Sequence, residues 1–265
     1  MIPAKYRAAY SIAIQQYLQR RSTLLMDRLG GMAILLSLYA FWSALVAGKD
    51  SFLGYSGAQM VSYVLVMNLL RSFVFTGRGW ELVGEISSGK ISSYLVRPIS
   101  YPLYSLALDF AQKTVHLGSA VLEVAVLAFA VGAQLYWPSW QSWLLFIPAV
   151  LISSLLFFFL EFLVSSMAFW TSESGGPLFC FELTLQFAAG TFFPLDVLPA
   201  AMQRVLQYTP FPYMVFYPIN IYLERISVTK SLSVLFIQLA WLSVVLLLCR
   251  KAWRAGLDSY SAEGG

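Results

Sequence analysis

Ser231-Leu-Ser-Val-Leu-Phe-Ile-Gln-Leu-Ala-Trp-Leu-Ser-Val-Val-Leu-Leu-Leu-Cys249 carries no charged residue. As a helix rising about 1.5 Å per residue it would extend about 28 Å, close to the thickness of a bilayer's hydrocarbon core, about 30 Å. Hydrocarbon offers no partners to backbone N–H and C=O groups, so such a stretch must satisfy them within itself, as a helix does. The alternative, a closed barrel, would show strands of about ten residues with alternating polarity. That alternation is absent.

The rest of the chain repeats this pattern. Of 265 residues, 59% are hydrophobic and 11% charged, against about 25% charged in ordinary soluble domains, so most of the chain cannot face water. Six spans are expected: 30–48, 53–70, a third starting near Pro102 or Thr114 and ending at 136, 142–170 (interrupted by Pro148 and Glu161), 175–193 (containing Glu182), and 231–249. Residues 205–223 are also uncharged, but Pro210, Pro212 and Pro218 each remove a backbone donor and crowd the preceding turn. With Pro194 and Pro199 upstream, 191–223 is expected to dip into the membrane as short helices and return.

The fold class is therefore all-α and polytopic, a single transmembrane domain over 1–265. Its expected parts are an interfacial helix (1–29), spans one and two (30–76), a cytoplasmic loop (77–101), spans three to five (102–190), a re-entrant segment (191–230), span six (231–249) and a cytoplasmic tail (250–265).

An even number of spans puts both termini on one side, where Lys and Arg should concentrate. One side holds Lys5, Arg7, Arg20, Arg21, Arg28, Arg71, Arg78, Lys90, Arg97, Lys113, Arg250, Lys251 and Arg254; the other holds Lys49, Arg204, Arg225 and Lys230. The termini and 71–113 are accordingly assigned to the cytoplasm. Trp137, Trp140 and Trp143 fit an aromatic belt at the opposite interface. The net charge of +4 is spread singly beside apolar blocks, as a topology signal is, and nucleic acid is not an expected partner.

Residues 1–29 have no apolar h-region, so no cleavable signal peptide is expected. Residues 3–20 instead place Tyr6, Tyr10, Ala13, Ile14 and Tyr17 on one helical face, as in a helix lying on the membrane surface. No internal repeat is visible. Cys180 and Cys249 sit in separate apolar blocks without ligand spacing, so neither a metal site nor a disulfide is expected.

In the loop 77–101, Trp80, Leu82, Val83 and Ile86 are apolar at helical spacing, while Glu81 and Glu85 lie four apart. An interfacial helix resting on lipid is one reading. A docking knob for a cytoplasmic partner is favoured, because acidic residues suit an anionic inner leaflet poorly.

Two motifs then carry a resemblance. Ile86-Ser-Ser-Gly-Lys-Ile-Ser-Ser-Tyr-Leu-Val-Arg-Pro-Ile-Ser100, with Gly89, Leu95, Arg97 and Pro98, resembles the cytoplasmic loop of ABC-2 type transporter permeases. Gly190-Thr-Phe-Phe-Pro-Leu-Asp-Val-Leu-Pro199, followed by Gln203 and Thr209-Pro-Phe-Pro212, resembles that family's outer segment before its last span. The tail Arg254-Ala-Gly-Leu-Asp-Ser-Tyr260 is similar to one subgroup. The resemblance implies an exporter permease that pairs with an identical or related permease and sits on two separate ABC ATPase subunits, in a bacterial cytoplasmic membrane. It also implies that Trp80, Glu81, Glu85, Ile86, Lys90 and Arg97 couple to the ATPase. Spans one and five and the re-entrant segment would form the dimer interface or substrate path.

The chain contains no GxxxxGK[ST] phosphate loop. ATP and Mg are thus expected on the partner subunits, with no cofactor, metal or catalytic residue on this chain.

Charged residues inside spans cost about 2.5–3.5 kcal/mol on insertion scales and demand an account. Asp109 and Lys113, four apart, are expected to form a juxtamembrane ion pair, with His116 one turn on. Glu123, Glu161 and Glu182 fall deeper, on three spans, as candidates for a substrate path or for the proton relay of an ion-coupled secondary transporter. An intramembrane enzyme is disfavoured, since neither HExxH nor GxSxG is present.

Overall fold

A computed structural model describes residues 4–48, 51–133, 135–171 and 173–260. Lys49 and the side chain of Arg21, both counted in the charge asymmetry, lie outside the described residues, as do 1–3 and 261–265 of the terminal segments. The eleven α-helices among the described residues are α1 (Ala4–Gln19), α2 (Arg21–Val46), α3 (Gly57–Val74), α4 (Gly79–Ser87), α5 (Ser92–Leu95), α6 (Tyr101–Val131), α7 (Trp140–Ser165), α8 (Gly175–Ala188), α9 (Ala200–Leu206), α10 (Phe216–Tyr222) and α11 (Val228–Ser259). No β-strand occurs among the described residues.

Five segments are long and apolar enough to cross a membrane: Leu24–Val46, Gly57–Ser87, Tyr101–Val131, Trp140–Phe169 and Val228–Ser259. The second includes α4, beyond a break at 75–78. The uncertain start of span three is at Tyr101, with Pro102 in the first turn, where its missing N–H costs nothing.

The expected fifth span, 175–193, does not form one long helix. Gly190 takes φ +83, a conformation natural to glycine, and α8 stops just before it. At 14 residues α8 rises about 21 Å, short of a bilayer core. It nevertheless begins beside Trp80 of α4 and ends where Tyr63 of α3 donates to the Gly190 carbonyl (2.8 Å). The chain thus leaves the α4 end on α8 and reaches the opposite end through the irregular segment that follows.

That segment is built as expected, from α9, α10 and 3₁₀ turns at Leu195–Val197 and Phe211–Tyr213. It is held inside protein: the indole of Trp42 donates to the Phe192 carbonyl (3.3 Å), and the fully buried Gln238 donates to the Tyr213 carbonyl (2.6 Å) and to Ser153 (3.0 Å). Irregular backbone at membrane depth needs such partners.

One boundary moves at the C-terminal end. The tail expected from 250 remains helical to Ser259, because Trp253 stacks on Tyr101 (5.3 Å) and Gly256 lies against the Phe169 ring. The apolar face of α1 rests on α6: the Tyr6 hydroxyl accepts from Ser100 N–H (3.1 Å), and Tyr17 donates to Gln112 (3.1 Å). Both described ends of the chain lie at the α4 end, where Lys5 donates to the Pro98 carbonyl and Tyr260 meets Ser92.

Candidate functional site

The site is the junction where α4 meets α6, α7 and α8. The residue before α4, Arg78, offers no side-chain cap, so exposed N–H groups at the helix start need an acceptor from elsewhere. Glu161 of α7 supplies it, accepting the Arg78 N–H at 3.0 Å. A carboxylate there also meets the positive end of the helix dipole. The approach requires glycine on both sides of Arg78: a Cβ on Gly77 would overlap the Glu161 carboxylate, and one on Gly79 would lie 2.7 Å from its Cγ.

Arg78 itself turns inward, with Nη2 at 3.6 Å from Glu85 and Nη1 donating to Ser105 of α6 at 3.4 Å. Tyr101 of α6 donates a short hydrogen bond to the other Glu85 oxygen. One carboxylate ties α4 to α7 and another ties it to α6.

This placement corrects the expected outward face of α4. Glu85 and Ile86 are buried with Leu82, forming the stripe that spacings of three and four put on one side of a helix. Both are turned into the bundle, away from the exposed face of α4. Glu81, Lys90 and Arg97 face outward, joined by Gly84, Leu95 and Val96, the last 85% exposed. Trp80 is half exposed and donates through its indole to Glu182 of α8 (2.9 Å).

The other polar candidates fall into three groups. Asp109 and Lys113 pair at 2.7 Å with both side chains fully buried rather than at an exposed interface, and the ammonium donates to the Ser154 carbonyl of α7 (3.3 Å). Glu123 lies 3.4 Å from Arg28, whose Nη2 contacts His116 Nδ1 at 2.6 Å. Since arginine only donates, that ring nitrogen is the acceptor. Glu161 and Glu182 share the lining of one cavity of about 460 Å³, between α2 and α8, together with Arg28, Arg71 and Trp80.

At the opposite end, outside the long helices, Glu224 accepts from Tyr136 (2.6 Å), Ser139 N–H (2.7 Å) and Ser142 (2.8 Å). These donors hold its carboxyl down at about 2, and the same bond pushes the Tyr136 phenol up to about 12. Arg225 pairs with Asp196 at 2.8 Å and covers the Tyr55 ring, 3.4 Å from its centroid.

Sequence reasoning missed Gly77, Gly79 and Arg78 as parts of the junction, and Gln238 as the brace of the re-entrant segment. The signals were available: glycines flanking an arginine seven residues before Glu85, and one amide in an uncharged span.

A family model described as ABC-2 family transporter protein matches residues 32–264. No curated protein matches the chain. With five helices able to cross a membrane and a family match over most of its length, the chain belongs to the ABC-2 family of transporter proteins and is an integral-membrane permease component.

Proposed function

We propose that this permease couples ATP hydrolysis on separate ABC ATPase subunits to export of a substrate, as a dimer with an identical or related permease. Its termini and α4 would face the cytoplasm of a bacterial inner membrane. ATP and Mg would reside on the partner, which docks on Glu81, Lys90, Leu95, Val96 and Arg97. Displacement of α4 would pass to α7 through Glu161 and to α6 through Arg78, Glu85 and Tyr101, shifting the bundle between two arrangements.

The observation that carries this reading is the double tether of α4 beneath an outward face that leaves Val96 85% exposed. It also favours ATP coupling over an ion relay: Asp109, Glu123, Glu161 and Glu182 are each engaged by a different group, not by one another.

The test is a pull-down of the ATPase with Glu81→Arg combined with Val96→Asp, both on the exposed face. The variant should insert and dimerise normally but release the ATPase. Undiminished co-purification with unchanged transport would refute docking at this surface.

A further inference from the structure

Arg71, three residues from the end of α3, lines the cavity between α2 and α8. It is partly buried, and among the described residues its side chain makes no hydrogen bond or ion pair. Glu123 attracts this guanidinium and Arg28 repels it, with a direct bond to neither, and five donors left unused within a bundle are costly.

None of the carboxylates lining the same cavity bonds Arg71. Glu161 serves the start of α4, Glu182 accepts from Trp80, and Asp27 is exposed. Arg28, the second guanidinium of the lining, already holds Glu123 and His116, and its buried Nε has no partner. Gln112, also in the lining, accepts from Tyr17 through its oxygen, which leaves its amide hydrogens unused. One acceptor nearby, the buried Glu123 Oε2, is also without a partner, but Glu123 is not in the cavity lining, where the unused groups of Arg71 and Gln112 are donors.

We propose that Arg71, assisted by the Gln112 amide, binds a phosphate-type oxyanion carried by a molecule that enters this cavity from the α4 end. The planar guanidinium fork matches the paired oxygens of such a group. The volume, about 460 Å³, falls within the range of small-molecule sites, about 300–1,000 Å³. Assigning the oxyanion to transported cargo rests on the permease reading; the binding itself does not. The same chemistry is offered by a soluble phosphorylated compound and by the headgroup of an anionic phospholipid.

The experiment uses the full-length permease, purified without an ATPase in phosphatidylcholine nanodiscs and titrated separately with inorganic phosphate and with short-chain phosphatidylglycerol. Binding of either probe should weaken about ten-fold or more in Arg71→Gln, the scale of a lost charge-assisted hydrogen bond. Arg71→Lys should retain part of it, and Gln112→Leu should lose a smaller part. A response to inorganic phosphate assigns a soluble source, and a response to phosphatidylglycerol alone assigns a lipid one. If neither probe binds, or if Arg71→Gln and Gln112→Leu both bind like the wild type, the proposal is overturned. Because no ATP is present, that result would leave the permease reading standing, and a failure of ATPase docking would leave phosphate binding intact.

Discussion

The two ends of the bundle are held together by different chemistry. At the α4 end, ionisable side chains reach between helices: Glu161 to the Arg78 N–H, Arg78 to Ser105, Glu85 to Tyr101, Lys113 to the Ser154 carbonyl, and Arg28 to Glu123. In the interior of the re-entrant end, the ties are neutral donors on backbone carbonyls, from Tyr63 to Gly190, Trp42 to Phe192 and Gln238 to Tyr213, with charged groups, Arg225–Asp196 and Glu224, kept to its more exposed rim. Neutral hydrogen bonds fix irregular backbone in one place. Ties from ionisable side chains between separate helices fix their relative position while leaving the partner face of α4 exposed, which suits an element that passes on motion.

The contrast can be broken most severely at Lys113. Lys113→Ala leaves the Asp109 carboxylate buried without its partner and is expected to cost about 3–5 kcal/mol, read as lost folded protein in detergent. Asp109→Leu with Lys113→Met should restore stability and preserve ATP-driven transport, whereas an ion relay through this pair would lose transport in the same double variant.

Next in size is the neutral brace. Gln238→Leu removes the closer of two donors on the buried Tyr213 carbonyl, the Ser153 hydroxyl remaining at 3.2 Å, and should cost about 0.5–1.5 kcal/mol, seen as earlier thermal unfolding with ATPase binding unchanged. Glu161→Gln should alter stability less, since an amide oxygen still accepts from Arg78 N–H, but it replaces one carboxyl oxygen by an amide donor at the start of α4. Its expected signature is ATPase activity that persists while transport falls, and Glu161→Ala should show both effects more strongly.

The smallest effect belongs to Glu224. Its depressed carboxyl contributes stability that is present above the ordinary carboxylate value near 4.5 and is lost as pH falls towards about 2. Glu224→Gln should flatten the acid limb of a thermal stability profile, and an unchanged limb would exclude the three-donor arrangement.

Much of this was legible in the sequence because uncharged blocks of span length admit few alternatives to a helix. The stretch 231–249 contains no charge and lies within α11. Composition was silent on where helices end. The run 175–193 is uncharged throughout except for Glu182, yet Gly190 terminates the helix through its backbone conformation, which hydropathy does not register. Conversely, Arg250, Lys251 and Arg254 end the apolar run but not the helix, since Trp253 and Gly256 still pack against the bundle.

At the site, Glu81 and Glu85 look alike in sequence and diverge in space. Glu85 is drawn inward by Arg78 two turns earlier and by Tyr101 from another helix, and only the first of these could be read from spacing. The meeting of Glu161 with Gly77 and Gly79, 84 and 82 residues away along the chain, depends on how α7 packs against α4 and had no local signal.

The central claim is that another chain's ATP drives this permease through α4. Its most direct measurement is substrate flux in proteoliposomes containing the permease and its co-purified ATPase, with ATP supplied or withheld and with a proton gradient imposed or collapsed. The account predicts flux that requires ATP, survives collapse of the gradient and is lost with Glu81→Arg and Val96→Asp. Flux that follows the gradient without ATP, and is indifferent to those substitutions, would contradict it.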